Sequence, residues 1–267
     1  MILDIKTHLH YRMPQKTDVL LQIEAASQPD QQILSSNLEL SETDHEARVP
    51  AEDAIGERLW LRVQNDFVCT YSASVEIKRD APDLAGLAFT PPHRLPGETV
   101  RYLMPSRFCP SADFQNFVIA EFGDLQGGAR IAAIRDWING SFQYVSGSSN
   151  PRTTALETFV QRQGVCRDFA HVMITLARAS SIPARMVSVY GPDVTPQDFH
   201  AVAEVFLDGA WRLVDATGMA TADRMARIGV SEDAATIAFM TNFGFAELVE
   251  QTIEVTGRDQ NTAAASA

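Results

Sequence analysis

Residues Gly164-Val165-Cys166-Arg167-Asp168-Phe169-Ala170-His171-Val172 leave the chain few ways to fold. From Cys166 onward, Cys166, Phe169, Ala170, Met173, Ile174 and Ala177 recur at i, i+3, i+4, i+7, i+8 and i+11. That is one face of a helix, and it is apolar enough to be buried. Cys166 falls in the first turn, where free N–H groups and the positive end of the helix dipole stabilise an anion. A thiolate is such an anion, and so is the oxyanion of an acyl-transfer intermediate. The plainer alternative is a small buried thiol in a core helix, because free cysteine is among the most buried residue types.

Two later segments bear on that choice. Phe199 to Leu207 reads as a strand with His200 near its start, Asp208-Gly209 is a hairpin signal, and Trp211 to Thr217 is the return strand carrying Asp215. A hairpin of this kind brings His200 and Asp215 together at its open end. With Cys166 they supply nucleophile, base and orienter. The alternatives are an ordinary strand-end histidine and an aspartate that caps the turn at Thr217-Gly218.

Gly-Val-Cys-Arg-Asp-Phe-Ala, then Ser181-Ile182-Pro183-Ala184-Arg185-Met186-Val187, then His200-Ala201 and Val214-Asp215-Ala216-Thr217, resemble the transglutaminase-like superfamily. The resemblance covers nearly the whole chain and is closest to bacterial proteins described as cysteine proteases with a β-rich N-terminal domain. It implies a papain-like core and a Cys166-His200-Asp215 triad. Two positions depart from the pattern. Val202 stands where Trp is usual, which implies an altered cleft wall, and Ala216 stands where Pro is usual.

The 267 residues suffice for one large domain or two ordinary ones. A net charge of −12 argues against binding nucleic acid or an anionic membrane. Three cysteines (Cys69, Cys109 and Cys166) with no CxxC pair suggest neither a disulfide framework nor a zinc site. No acidic loop of EF-hand type implies calcium. No cofactor is expected. The first eight residues alternate like a strand and lack the order of a signal peptide, and no apolar run reaches the length of a membrane span. The expectation is a cytoplasmic protein.

Residues 1 to about 80 carry strand signals: Leu3 to Tyr11, a break at Pro14-Asp18, Val19 to Ala25, Gln31 to Leu40, and a hairpin of Glu57 to Gln64 and Val68 to Ile77 turning at Asn65-Asp66. They predict an antiparallel β-sandwich domain. His8 and His10 share one strand face and, without further ligands, read as surface residues. Residues 81–110 form a Pro-rich connector in which Cys109 reads as structural. The domain from 111 to 257 reads as helices and then strands, which makes the whole α+β. Its helices run over Asp113–Phe122, Gly127–Phe142, a Thr154-capped segment, and the Cys166 helix. Its antiparallel sheet takes strands at 184–190, 199–217 and 227–230, with a last one at 249–256. Residues 258–267 read as a frayed tail.

These residues predict a cysteine-dependent acyl-transfer enzyme that hydrolyses a peptide or other amide bond. The same residues serve transfer to an amine of transglutaminase type, and a binding module on the same scaffold is the rival of a different class. The Cys166 N–H is one oxyanion donor, and Gln143 or Tyr144 is the candidate for the second. Asp168 suits the helix dipole and reads as structural. His171 lies about 140° around the helix from Cys166 and is badly placed as a base.

Overall fold

The computed structural model describes residues 1–258; the expected tail beyond them lies outside the described residues. The N-terminal part is antiparallel β: β1 (Ile2–Leu21), β2 (Gln31–Leu40), β3 (His45–Pro50) and β4 (Glu57–Ile77). After a connector of short 3-10 turns come α1 (Gln115–Phe122), α2 (Gly127–Ser141), β5 (Gln143–Tyr144), α3 (Ala155–Gln161), β6 (Gln163–Gly164) and α4 (Cys166–Ala179). Then follow β7 (Ala184–Tyr190), β8 (His200–Leu207), β9 (Ala210–Val214), β10 (Ala226–Ser231), β11 (Met240–Asn242) and β12 (Glu247–Arg258). Helices packed on an antiparallel sheet, preceded by an antiparallel β unit, make the α+β architecture that the order of sequence patterns predicts.

Two expected breaks are absent. β1 and β4 are each continuous and pair from Ile2↔Glu76 to Leu21↔Leu59. Pro14, Gln15 and Lys16 sit in a bulge between the pairs Met13↔Asn65 and Thr17↔Val63, where proline's missing N–H costs no ladder bond. Asn65 takes φ 63° without reversing the strand. Its turn signal is outweighed by alternating apolar residues on both sides, Leu59, Leu61 and Val63 and then Phe67, Cys69 and Tyr71, all buried.

A third difference is larger. The strand expected at 249–256 does not complete the second domain's sheet. It is part of β12, which pairs with β1 from Ile2↔Arg258 to Arg12↔Glu247. The second sheet has the order β10-β7-β8-β9. The chain thus returns to its own beginning, and the apolar face of the first sheet packs on Tyr190, Phe199, Ala226 and Ile228 of the second part.

α4 is the centre of the second core. Every residue from Asp168 to Arg178 is buried, because the helix is covered by α1, α2 and α3 on one side and by β7 and β8 on the other. The connector is fastened to α2: a Cβ at Gly128 would lie 1.8 Å from the Leu84 carbonyl oxygen, so only glycine admits this approach. Ile174 has no exposed surface. Ile174→Ala should therefore lower stability by about 2–5 kcal/mol, read from the urea midpoint at unchanged slope.

Candidate active site

Val165 is the N-cap of α4 and Cys166 its first helical residue. Asp168, fully buried, accepts the Val165 N–H at 2.9 Å and so closes the first turn from within. Ser149 Oγ and Arg167 Nη2 also donate to it, at 2.5 and 2.9 Å. Gly164 is required beside it, since a Cβ there would lie 2.6 Å from the Asp168 Cβ. The Gly-Val-Cys-Arg-Asp string is thus a device for fixing where the helix starts, with Asp168 in the structural role that the sequence suggested.

β8 presents His200 at its first residue, and the turn after β9 presents Asp215. His200 Nε2 and Asp215 Oδ2 are 2.9 Å apart, both side chains almost fully buried. Asp215 also caps its turn: Oδ1 accepts the Thr217 N–H at 2.8 Å and the Thr217 hydroxyl at 2.7 Å, and Oδ2 accepts the Ala220 N–H at 3.0 Å. Asp215 therefore bonds His200 and caps its turn at once. Asn139 of α2 supports the same turn by donating to the Thr217 carbonyl at 2.8 Å, a positioning residue that no sequence motif marks.

The second ring nitrogen of His200, Nδ1, is buried and makes no hydrogen bond of ordinary geometry. Cys166 is close enough to act on the His200 charge. Burial disfavours the imidazolium, but hydrogen bonding and charge from Asp215 and Cys166 outweigh it and raise His200 to about 10. Burial likewise works against the Asp215 carboxylate, yet the bonds to His200 and Thr217 hold it below the ordinary aspartate value. Cys69 and Cys109 are buried, and burial pushes each thiol up to about 12, whereas Cys166 is partly exposed.

Tyr144 lies beside Cys166. Burial and then the charge of Cys166 push its phenol up to about 12, while the Cys166 main-chain N–H bonded to it acts the other way. β5 pairs Tyr144 with Gly164, and the Tyr144 ring centroid is 6.0 Å from that of Phe169. Gln143 is not brought to the same point. Its N–H donates to the Arg162 carbonyl at 2.9 Å, and alternation along a strand directs its side chain opposite to that of Tyr144. Val202 is 1% exposed and packs with Val187, Val189 and Leu213, so it lines no cleft wall. His171 is buried, with Nε2 accepting the Ala234 N–H at 3.2 Å. Of the histidine pair on β1, His8 bonds Thr70 and His10 bonds Asp66.

Asp198 was not foreseen. It lies two residues before His200, and its Oδ1 accepts Gln251 Nε2 at 2.8 Å and the Phe199 N–H at 2.7 Å. Its charge contributes to the raised pKa values of both Tyr144 and Tyr11. The first β unit therefore reaches the rim of the site through β1 and β12.

A family model, the transglutaminase-like superfamily, matches residues 119–216. The crystal structure of a candidate cysteine protease from Cytophaga hutchinsonii is similar over 97% of this chain and 91% of its own, with 30% identity and a TM-score of 0.88. The chain belongs to the transglutaminase-like superfamily. An uncharacterised protein of Mycobacterium leprae is 28% identical over 119 residues, which are 41% of this chain and 42% of that protein's length. The periplasmic domain of TgpA from Pseudomonas aeruginosa matches with 20% identity over 79% of this chain and 76% of its own, at a TM-score of 0.42. The scaffold is thus that of a transglutaminase-like, cysteine-protease-like fold. Among the described residues no helix is long and apolar enough to cross a membrane.

Proposed function

We propose that this member of the superfamily is a cysteine-dependent acyl-transfer enzyme that hydrolyses a peptide or other amide bond. The observation that carries the reading is the buried His200–Asp215 pair at 2.9 Å, with Cys166 at the start of α4 raising the His200 pKa. The Cys166 thiolate attacks the carbonyl carbon and forms a C–S bond, and the carbonyl oxygen takes the negative charge. The Cys166 N–H, which bonds the Tyr144 phenol oxygen in the free enzyme, and the Tyr144 hydroxyl both turn to it as donors. Collapse expels the amine, which takes its proton from His200, and leaves a thioester. Water then attacks, giving a proton to His200, and the C–S bond breaks to return the thiolate and a carboxylic acid. An amine in place of water gives transamidation by the same residues. We assign the reaction to the reducing cytoplasm, where a catalytic thiol stays free.

The test is incubation of wild type and Cys166→Ala with a peptide-amide library, with and without a primary amine, read by mass spectrometry. Fragment pairs whose masses sum to substrate plus water, or a terminal amide converted to the acid, in wild type alone, support hydrolysis. Products that carry the amine favour transfer. Iodoacetamide should modify Cys166 before Cys69 or Cys109; faster labelling of either buried thiol removes the nucleophile assignment. A scaffold that only binds would turn over nothing.

The pH dependence follows from the shifted pair. His200 is raised above its unfolded value near 6.5, so its contribution to stability is complete below that pH and is lost as pH rises through about 10. Asp215 is lowered, so its contribution is present above the unfolded carboxylate range and is lost in acid. The thermal midpoint of wild type should fall between pH 7 and pH 10 by more than that of His200→Gln. An identical slope in both would contradict the shift.

A further inference from the structure

We infer that residues 243–251 are the docking surface for an extended segment of a polypeptide substrate, apolar at alternate positions and carrying a cation, which adds to the outer edge of β12. The inference rests on the acyl-transfer reading and names its substrate class. Phe243, Phe245, Leu248 and Val249 are 63%, 68%, 52% and 44% exposed, and they fall within one short stretch. A concentration of apolar surface of this kind marks an interaction site. Trp60 extends it, its ring centroid 5.4 Å from that of Phe243.

The backbone beside it is also open. β12 pairs with β1 on one side and, among the described residues, with no strand on the other. An unpaired edge accepts a peptide as an added strand. The register passes from His10↔Glu250 to Tyr11↔Leu248, so Val249 is a bulge residue, a feature found at sheet edges and beside active sites.

The position joins this surface to the candidate site. The Val255 N–H donates to Gln197 Oε1 at 2.9 Å, and Gln251 Nε2 donates to Asp198 at 2.8 Å. The outer side of β12 therefore faces the segment that leads into His200. Leu248 is three residues from Gln251, about 10 Å at the rise of a strand, which a substrate of a few residues spans. Asp198 and Glu250 border this path in a chain of net charge −12, which favours a cation on the occupant.

The probe is a dansyl-labelled decapeptide alternating leucine or valine with lysine or threonine, and a counterpart with glutamate for lysine. Each is titrated by fluorescence anisotropy into the full-length Cys166→Ala protein. The lysine peptide should bind at least ten times more tightly than the glutamate peptide. Leu248→Asp and Val249→Asp should each weaken it at least tenfold with an unchanged far-ultraviolet circular dichroism spectrum, and Leu248→Met should restore it. Hydrogen exchange should slow within 245–251. The inference is overturned by no binding, by equal binding in both Asp variants, by preference for glutamate, or by protection at another sheet edge. A dimer that Leu248→Asp dissolves, with no peptide bound, would also overturn it in favour of a second copy. Peptide bound here but never cleaved by wild type sinks the acyl-transfer reading and leaves the docking surface. Cleavage of small amides without peptide binding does the reverse.

Discussion

His200→Ala should lower kcat on any substrate that depends on Cys166 by about 10⁶-fold, and Asp215→Ala by about 10⁴-fold. The inequality follows from the division of labour. In the proposed reaction His200 would move the proton at both stages, whereas Asp215, bonded to the ring at Nε2, would only hold it and stabilise the imidazolium. Neither change should unfold the protein, though Asp215→Ala also removes a cap from the Thr217 turn, which Asn139 still supports. Cys166→Ala should be as inactive as His200→Ala, and the double variant no worse than either, because residues that act as one unit do not contribute additively. Single-turnover kinetics on a cleaved peptide amide measures all three. Near-wild-type turnover by His200→Ala would remove the assigned base.

The His200–Asp215 pairing and the start of α4 were legible because each depends on local chemistry. A helical period beginning at a cysteine, a strand beginning at a histidine and a hairpin signal are all read within a few residues. The Thr154 capping box was legible for the same reason, with both of its reciprocal bonds formed. What was not legible is pairing at long range. β12 carries the same alternating pattern whether it joins β1 or β10, and nothing in its twelve residues names the partner. The Asn65-Asp66 signal misled because a local turn preference is worth less than the continuous apolar ladder formed with β1. Gln143 and Tyr144 were both singled out because they follow α2 near the expected cleft, and local sequence does not say which of two adjacent strand residues, facing opposite ways, turns toward Cys166.

That long-range pairing changes what removal of the first unit should do. A chain beginning near Leu84 would lack β1 and β4, leave β12 without its partner, and expose the apolar surface around Tyr190, Phe199 and Ile228. The sequence divides the chain into a β domain of residues 1 to about 80, a connector and a second domain. The structure joins the β domain's strands to the last strand of the chain, so the shortened protein should aggregate rather than keep a reactive Cys166.

Two ion-pair chains between the two parts meet at Glu204, and Glu204→Ala should cost about 3–5 kcal/mol of stability. Glu204 is fully buried in β8, in a strand otherwise apolar from Ala201 to Leu207. Its carboxylate is bonded to Arg185 of β7 at 2.7 Å and to Arg227 of β10 at 2.7 Å, and both guanidinium groups are themselves nearly sealed. Each arginine continues to the first unit, Arg185 to Asp53 at 2.8 Å and Arg227 to Asp30 at 2.8 Å. Burial opposes the Glu204 charge, but Arg227 and Arg185 outweigh it and hold the carboxyl below its ordinary value. Removing the carboxylate leaves two buried cations with only their outer partners, which is why the loss is large where a surface pair would cost little. The thermal midpoint should fall by roughly 6–20 °C. Because the folded pKa is lowered, this stabilisation is present above the ordinary carboxylate range and disappears as pH falls through the folded value. The gap between wild type and Glu204→Gln should therefore narrow in acid below about pH 4. A gap that stays constant from pH 7 to pH 3 would mean that packing around the side chain, and not its charge, joins the two parts.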